Sequence, residues 1–178
     1  MGWDKGVKFD KAYKLITSHI KYLKTELKYA RYRKRLLKFL GYDYILLITL
    51  TNGCRISEAL EAFNIFLRSG KRELEIRVRK KKKEAYRLII IPKSIPDYDR
   101  KLIKDLNFER TAVSHYAAKT YGLNPHTLRY AFITELGRQH VNPAIIAAIT
   151  QHSKLDMILK YTRKKTAEEI LREIVNSL

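Results

Sequence analysis

The sequence predicts a mainly α-helical domain with one small antiparallel β-sheet, an α+β fold. Three observations carry that expectation. Apolar residues recur at three- and four-residue steps, as at Tyr13, Ile16, Ile20, Leu23 and Leu27. Strand-like patterning is confined to residues 74–91, where Leu74, Ile76 and Val78 alternate with charged residues and a β-branched run after Tyr86 stops at Pro92. At 178 residues, 46% of them hydrophobic, the chain can bury one core and is short for two.

In chain order, residues 10–40 read as a helix, with Asp10 as N-cap and Gly41 as a natural stop. Residues 43–50 form a short apolar helix that Thr51-Asn52-Gly53 breaks. Another helix starts near Arg55 or Ile56, with Ser57 and Glu58 suited to its first turn. Residues 74–91 then form a hairpin whose turn is the cluster Arg79-Lys80-Lys81-Lys82-Lys83-Glu84. Helices follow over 97–106 and 110–121, the second ended by Gly122. Asn124-Pro125 opens a helix through Arg129 to Arg138, and Asn142-Pro143 opens one through Ile149. Residues 155–161 and 166–175 read as the last two helices. The sequence shows neither an internal repeat nor a low-complexity linker.

Charge narrows the partner. Thirty-seven Lys plus Arg against eighteen Asp plus Glu give a net charge of +19, a surface that attracts a polyanion, with nucleic acid the expected one. Residues 1–40 alone carry twelve basic and three acidic residues, with Tyr22, Tyr29 and Tyr32 interleaved, a pattern that suits either a DNA-facing helix or a solvated one. The single cysteine, Cys54, excludes an intramolecular disulfide and a cysteine-built zinc site, and reads as a small packed residue. No apolar run reaches transmembrane length and the first residues lack the apolar region of a signal peptide, so an intracellular, cytoplasmic or nucleoid-associated protein without a membrane partner is expected. Abundant Lys, Ile and Tyr with few Gln and Cys hint at a hot-environment source.

The chemistry is carried by a spaced set: Arg55, then His126 and Arg129 three apart in one helical turn, then His152 and Tyr161. Guanidiniums bind phosphate oxygens in bidentate fashion, imidazoles transfer protons near neutral pH, and a phenol is an oxygen nucleophile. Together they supply what attack on a phosphodiester needs without a metal or other cofactor, and the sequence offers no acidic ligand cluster. Arg55 gains interest from its place at a helix start, where backbone N–H groups favour anions. His19, His115 and His140 have no partner at a telling spacing and read as structural.

That ordered set resembles the catalytic domain of the tyrosine recombinase (phage integrase) family, of the kind found in archaeal or archaeal-virus integrases. Thr51-Asn-Gly-Cys-Arg-Ile-Ser-Glu-Ala-Leu60 looks like the family's T-G-x-R-x-S-E-L box, which implies Arg55 as first catalytic arginine and Glu58 as its supporting acid. His126-Thr-Leu-Arg129 matches H-x-L-R, implying His126 and the second arginine. Gln151-His152-Ser153, with Tyr161 nine residues after His152, matches L-G-H-S and its nucleophile. The lysine hairpin falls where the family carries a general-acid lysine. Lys80 to Lys83 are all candidates, and alternation pairs Lys81 with Lys83 on the favoured face.

The resemblance covers residues 43–178 and implies a double-stranded DNA partner, self-association as dimer or tetramer, and strand cleavage and rejoining through a 3′-phosphotyrosine, independent of metal and ATP. DNA integration and site-specific recombination, including viral genome integration, follow as the expected function. A type IB topoisomerase-like relaxation activity and a non-catalytic DNA-binding protein are the alternatives. The expected organisation is a single catalytic domain over 1–178: a basic leading segment 1–42, a core 43–165 and a C-terminal helix 166–178. Forty-odd leading residues are too few for the family's N-terminal DNA-clamping domain, so weak, salt-sensitive DNA affinity is expected. Two positions depart from the pattern: Tyr130 replaces the histidine that usually follows the arginine, and Thr150-Gln151 replaces Leu-Gly.

Overall fold

The computed structural model describes residues 6–78, 84–151 and 175–176. Among them run α1 (Phe9–Tyr29), α2 (Arg33–Asn52), α3 (Ile56–Ser69), β1 (Glu73–Arg77), β2 (Tyr86–Ile90), α4 (Asp97–Ile103), α5 (Arg110–Tyr121), α6 (Pro125–Arg138) and α7 (Pro143–Thr150). The mainly helical α+β class is therefore observed, with one two-stranded antiparallel sheet among the described residues.

The hub is α2. Every residue from Leu40 to Leu50 is buried, so the helix is enclosed on all sides rather than striped. It packs against α1, α3, α5 and α6. This corrects the helix stop expected at Gly41 and the separate helix expected over 43–50, since one helix runs through both. The chain instead leaves the helix at Ala30, and Arg33 folds back to donate from Nε and Nη2 to the Leu27 carbonyl at 3.0 and 2.7 Å. Gly41 is helical because a ring needs its missing side chain: a Cβ there would lie 2.2 Å from Phe108 Cε1. The helix propensity that glycine forgoes, about 1 kcal/mol relative to alanine, is offset by that ring contact.

Two buried carboxylates tie the helices around this hub. Asp43 accepts a hydrogen bond from Tyr121 Oη at 2.7 Å and lies 2.7 Å from His19 Nδ1, which also contacts Tyr116 Oη at 3.2 Å. Burial raises the Asp43 pKa, opposed by the hydrogen bonds from His19 and Tyr121. His19 thus has a partner 24 residues away, which local spacing did not reveal. Asp99 is paired with the Tyr44 hydroxyl and with Lys24 Nζ, the latter at 2.6 Å. These bonds satisfy groups whose burial would otherwise be costly.

The hairpin strands pair Leu74 with Ile89 and Ile76 with Arg87, and both strands alternate exposed and buried positions. Tyr86, Leu88 and Ile90 face outward, which puts Arg87 on the core side with Ile89. The hairpin turn 79–83, the helix expected at 155–161 and nearly all of the helix expected at 166–175 lie outside the described residues, although Val175 and Asn176 are helical. α4 is shorter than expected, its last turn closing with Leu106 N–H donating to Ile103 O at 3.0 Å.

Candidate active site

The turn between α2 and α3 is the foundation of the site. Gly53 ends α2 with φ 54°, a left-handed conformation that glycine adopts without steric cost. Its missing side chain also leaves room for Phe132 of α6, whose Cδ1 would lie 2.2 Å from a Cβ. Cys54 follows, fully buried, its thiol pKa pushed up to about 12 chiefly by that burial. A thiolate is therefore absent at neutral pH, consistent with packing rather than nucleophilic use.

Arg55 is the N-cap of α3. Glu58, one turn on, accepts from the Arg55 backbone N–H through Oε2 at 3.0 Å and pairs through Oε1 with Arg55 Nη1 at 2.8 Å. The carboxylate is buried, whereas the Arg55 side chain stays 25% exposed. One residue so fixes both the backbone and the side chain of the arginine. Arg55 and Glu58 open onto a groove of about 540 Å³ that also contains Arg68 and Arg110. A larger cleft of about 760 Å³, walled by Phe39, Tyr42 and Tyr116, contains none of the predicted site residues.

Arg129 comes from α6, whose start is set by Pro125 at its first position and by Asn124 Oδ1 accepting from His126 N–H at 2.9 Å. Arg129 is buried at 1% exposure, with Nη1 donating to Gly53 O at 3.0 Å and Nη2 to Thr150 O at 2.7 Å. It thereby links the Arg55 turn to the end of α7, one residue before Gln151-His152. Burial, then the charges of Arg55 and Arg87, lower its pKa to about 10. It remains charged at neutral pH.

His126 and Arg129 do not present the same environment, although three residues separate them. His126 is exposed, its ring edge-on to Tyr130 with centroids 4.7 Å apart. The departure at Tyr130 thus supplies an aromatic contact for the histidine. Lys81, Lys83, His152 and Tyr161 lie outside the described residues.

The other departure has a backbone reason to matter. Gln151 caps α7 at φ 54°, in the left-handed region that disfavours side chains other than glycine. Gln151→Gly is expected to raise thermal stability by about 0.5–1 kcal/mol, read from melting curves. A fall in stability would show that the glutamine side chain, whose Nε2 donates to Ala148 O at 3.0 Å, outweighs the strain.

One participant escaped the sequence reading. Arg87 on β2 donates from Nη2 to Asn52 O at 2.6 Å, while Nη1 lies 3.3 Å from Glu58 Oε2 and 3.5 Å from Gly53 O. Its shared parity with Ile89 and Ile91 was the available signal. The run Tyr86 to Ile91 is apolar on both faces, however, so parity alone did not say which face is buried. Arg55 and Arg87 consequently share the Glu58 carboxylate, and Arg87 and Arg129 share the Gly53 carbonyl.

A helical domain with a short hairpin, in which arginines from two separate boxes meet at one turn, is the arrangement expected of a recombinase catalytic domain. No family model matches the chain. A protein of Acidianus two-tailed virus named "Putative integrase ORF241" is 38% identical over 177 residues, covering 98% of this chain and 69% of its own length. "Uncharacterized protein MJ0770" of Methanocaldococcus jannaschii is 32% identical over 201 residues, covering 97% and 88% respectively. Among solved structures, XerA recombinase matches with TM-score 0.59 at 15% identity, over 99% of this chain and 64% of its own. XerH site-specific recombinase, bound to palindromic difH substrate in a post-cleavage complex, matches with TM-score 0.59 at 16% identity, over 96% of this chain and 53% of its own. The chain spans less than two thirds of those two solved chains. It belongs to the tyrosine recombinase (phage integrase) family.

Proposed function

We propose that the chain is a site-specific DNA recombinase or integrase that cleaves and rejoins double-stranded DNA through a 3′-phosphotyrosine on Tyr161. The observation that carries this reading is the convergence of Arg55 and Arg129 on the Gly53 turn, with Glu58 holding Arg55. In the proposed reaction the Tyr161 phenol oxygen bonds to phosphorus as its proton passes to a base, and the bond from phosphorus to the 5′ oxygen breaks. The departing 5′ oxygen takes a proton from Lys81 or Lys83. Arg55 and Arg129 stabilise the charge that builds on the non-bridging oxygens, the main demand of phosphoryl transfer. His126 and His152 assist proton transfer and contacts in the transition state. Reversal by a 5′ hydroxyl rejoins the strand, because the ester bond energy is kept on the protein and neither metal nor ATP is consumed.

The relatives and the surface support the same reading. XerH was solved on its difH substrate, and the +19 charge of this chain suits a DNA partner. Assembly as a dimer or tetramer on DNA, and an intracellular site of action, belong to this proposal. The test uses a pool of nicked duplexes with randomised flanks, resolved on a denaturing gel. A protein–DNA adduct that resists EDTA and is absent from Tyr161→Phe is expected. An adduct of equal yield in Tyr161→Phe would remove Tyr161 as nucleophile.

A further inference from the structure

Arg87 is a poor choice for stability alone. Its side chain is 1% exposed, it pairs across the sheet with Ile76, and Ile89 lies two residues along the same face. Its Nε is a buried polar atom without a hydrogen-bond partner among the described residues. Burying a guanidinium forfeits much of its hydration, and well-packed apolar residues commonly replace buried ion pairs without loss of stability. A buried charge with an unsatisfied donor therefore asks for a reason other than packing.

The partners of Arg87 supply one. Glu58 Oε2 and Gly53 O, which it approaches, are the atoms that hold the Arg55 backbone and Arg129 Nη1. A second tie joins the same strand to the same turn: Asn52 Nδ2 donates to Ile90 O at 2.9 Å, and Ile90 N–H donates to Asn52 Oδ1 at 2.8 Å. Strand β2 is thus pinned to the Arg55 turn at two points. Without the ionic tie, Glu58 keeps Arg55 but loses the cation on its other side.

We infer that Arg87 is a positioning residue of this site: through Glu58 and the Asn52 and Gly53 carbonyls it sets Arg55 and Arg129 relative to one another and to strand β2. The inference rests on the reading of Arg55 and Arg129 as phosphate-binding residues. It places Arg87 behind the site rather than on the substrate. Only a forked, planar cation reaches the carboxylate and the carbonyls together, so lysine is not equivalent.

The experiment measures single-turnover adduct formation on the nicked duplex pool, with melting temperature, for wild type, Arg87→Met, Arg87→Lys, Glu58→Gln and the Arg87→Met/Glu58→Gln pair. The expected result is a loss of about 10- to 100-fold in both Arg87 variants, with the Arg87→Met melting temperature held or raised. The pair should be no slower than about the worse single variant, because both changes break one connection. Arg87→Lys keeps the charge and serves as the second variant if Arg87→Met does not fold. A rate unchanged in a folded Arg87 variant, or losses that simply multiply in the pair, would overturn the inference. If wild type forms no adduct, the recombinase reading fails separately. The positioning claim is then read from the side-chain Nε–Hε signal of Arg55 in ¹⁵N NMR spectra. Its displacement in Arg87→Met supports the claim and an unmoved signal refutes it.

Discussion

Arg129→Met is expected to remain folded with stability within about 2 kcal/mol of wild type while single-turnover cleavage falls about 100- to 1000-fold. The two effects separate because the Arg129 charge is unfavourable where it sits. With its pKa lowered to about 10, Arg129 holds its proton less tightly folded than unfolded. Stability from this group is therefore present only above the pH at which an unfolded guanidinium loses its proton, and it is lost as pH falls through about 10. At neutral pH the ionised side chain is a liability on the order of 3 kcal/mol. Methionine removes that liability but leaves the carbonyls of Gly53 and Thr150 without this donor, at about 1–3 kcal/mol each. The terms nearly cancel, so the melting curve should move little. Adduct kinetics and a thermal melt of one preparation check both halves. A collapse in stability with intact cleavage would mean that Arg129 is a structural strut only.

Gly53→Ala should produce the largest loss of stability, about 2–5 kcal/mol. The left-handed φ of 54° accounts for about 1–2 kcal/mol, and the collision of a Cβ with the Phe132 ring adds about 1–3 kcal/mol. Gly122→Ala is the control, since it shares the left-handed backbone at φ 65° but a Cβ there would meet nothing within 4 Å among the described residues. Denaturant unfolding of the two variants therefore isolates the Phe132 contact. Cleavage by Gly53→Ala should also fall, because the displaced Gly53 carbonyl receives Arg129. Equal losses in the two variants would remove the ring from the account.

Local signals in the sequence read the helix starts well. Asn124-Pro125 and Asn142-Pro143 open α6 and α7, each asparagine side chain accepting from the backbone two residues on. Arg55 at a helix N-terminus and Glu58 beside it were likewise legible, because their pairing is an i, i+3 contact. What depends on distant partners was not. Gly41 reads as a stop until Phe108, 67 positions later, is seen to occupy the space of its missing side chain. His19 looks solitary until folding brings Asp43, Tyr116 and Tyr121 around it. Arg87 could not be assigned to the interior from a strand that is apolar on both faces, and its identity as an arginine argued for the surface. In each case the missing fact was a tertiary neighbour, not a propensity.

The central claim is that this arginine-lined turn delivers a DNA phosphate to one tyrosine. Its most direct test is to trap the covalent complex on nicked duplex DNA, digest the protein, and locate the nucleotide-bearing peptide by mass spectrometry. A 3′-linked nucleotide is expected on the peptide containing Tyr161, with the yield lost in Arg55→Met. A nucleotide on any other residue, or an unmodified Tyr161 peptide in a confirmed adduct, would contradict it.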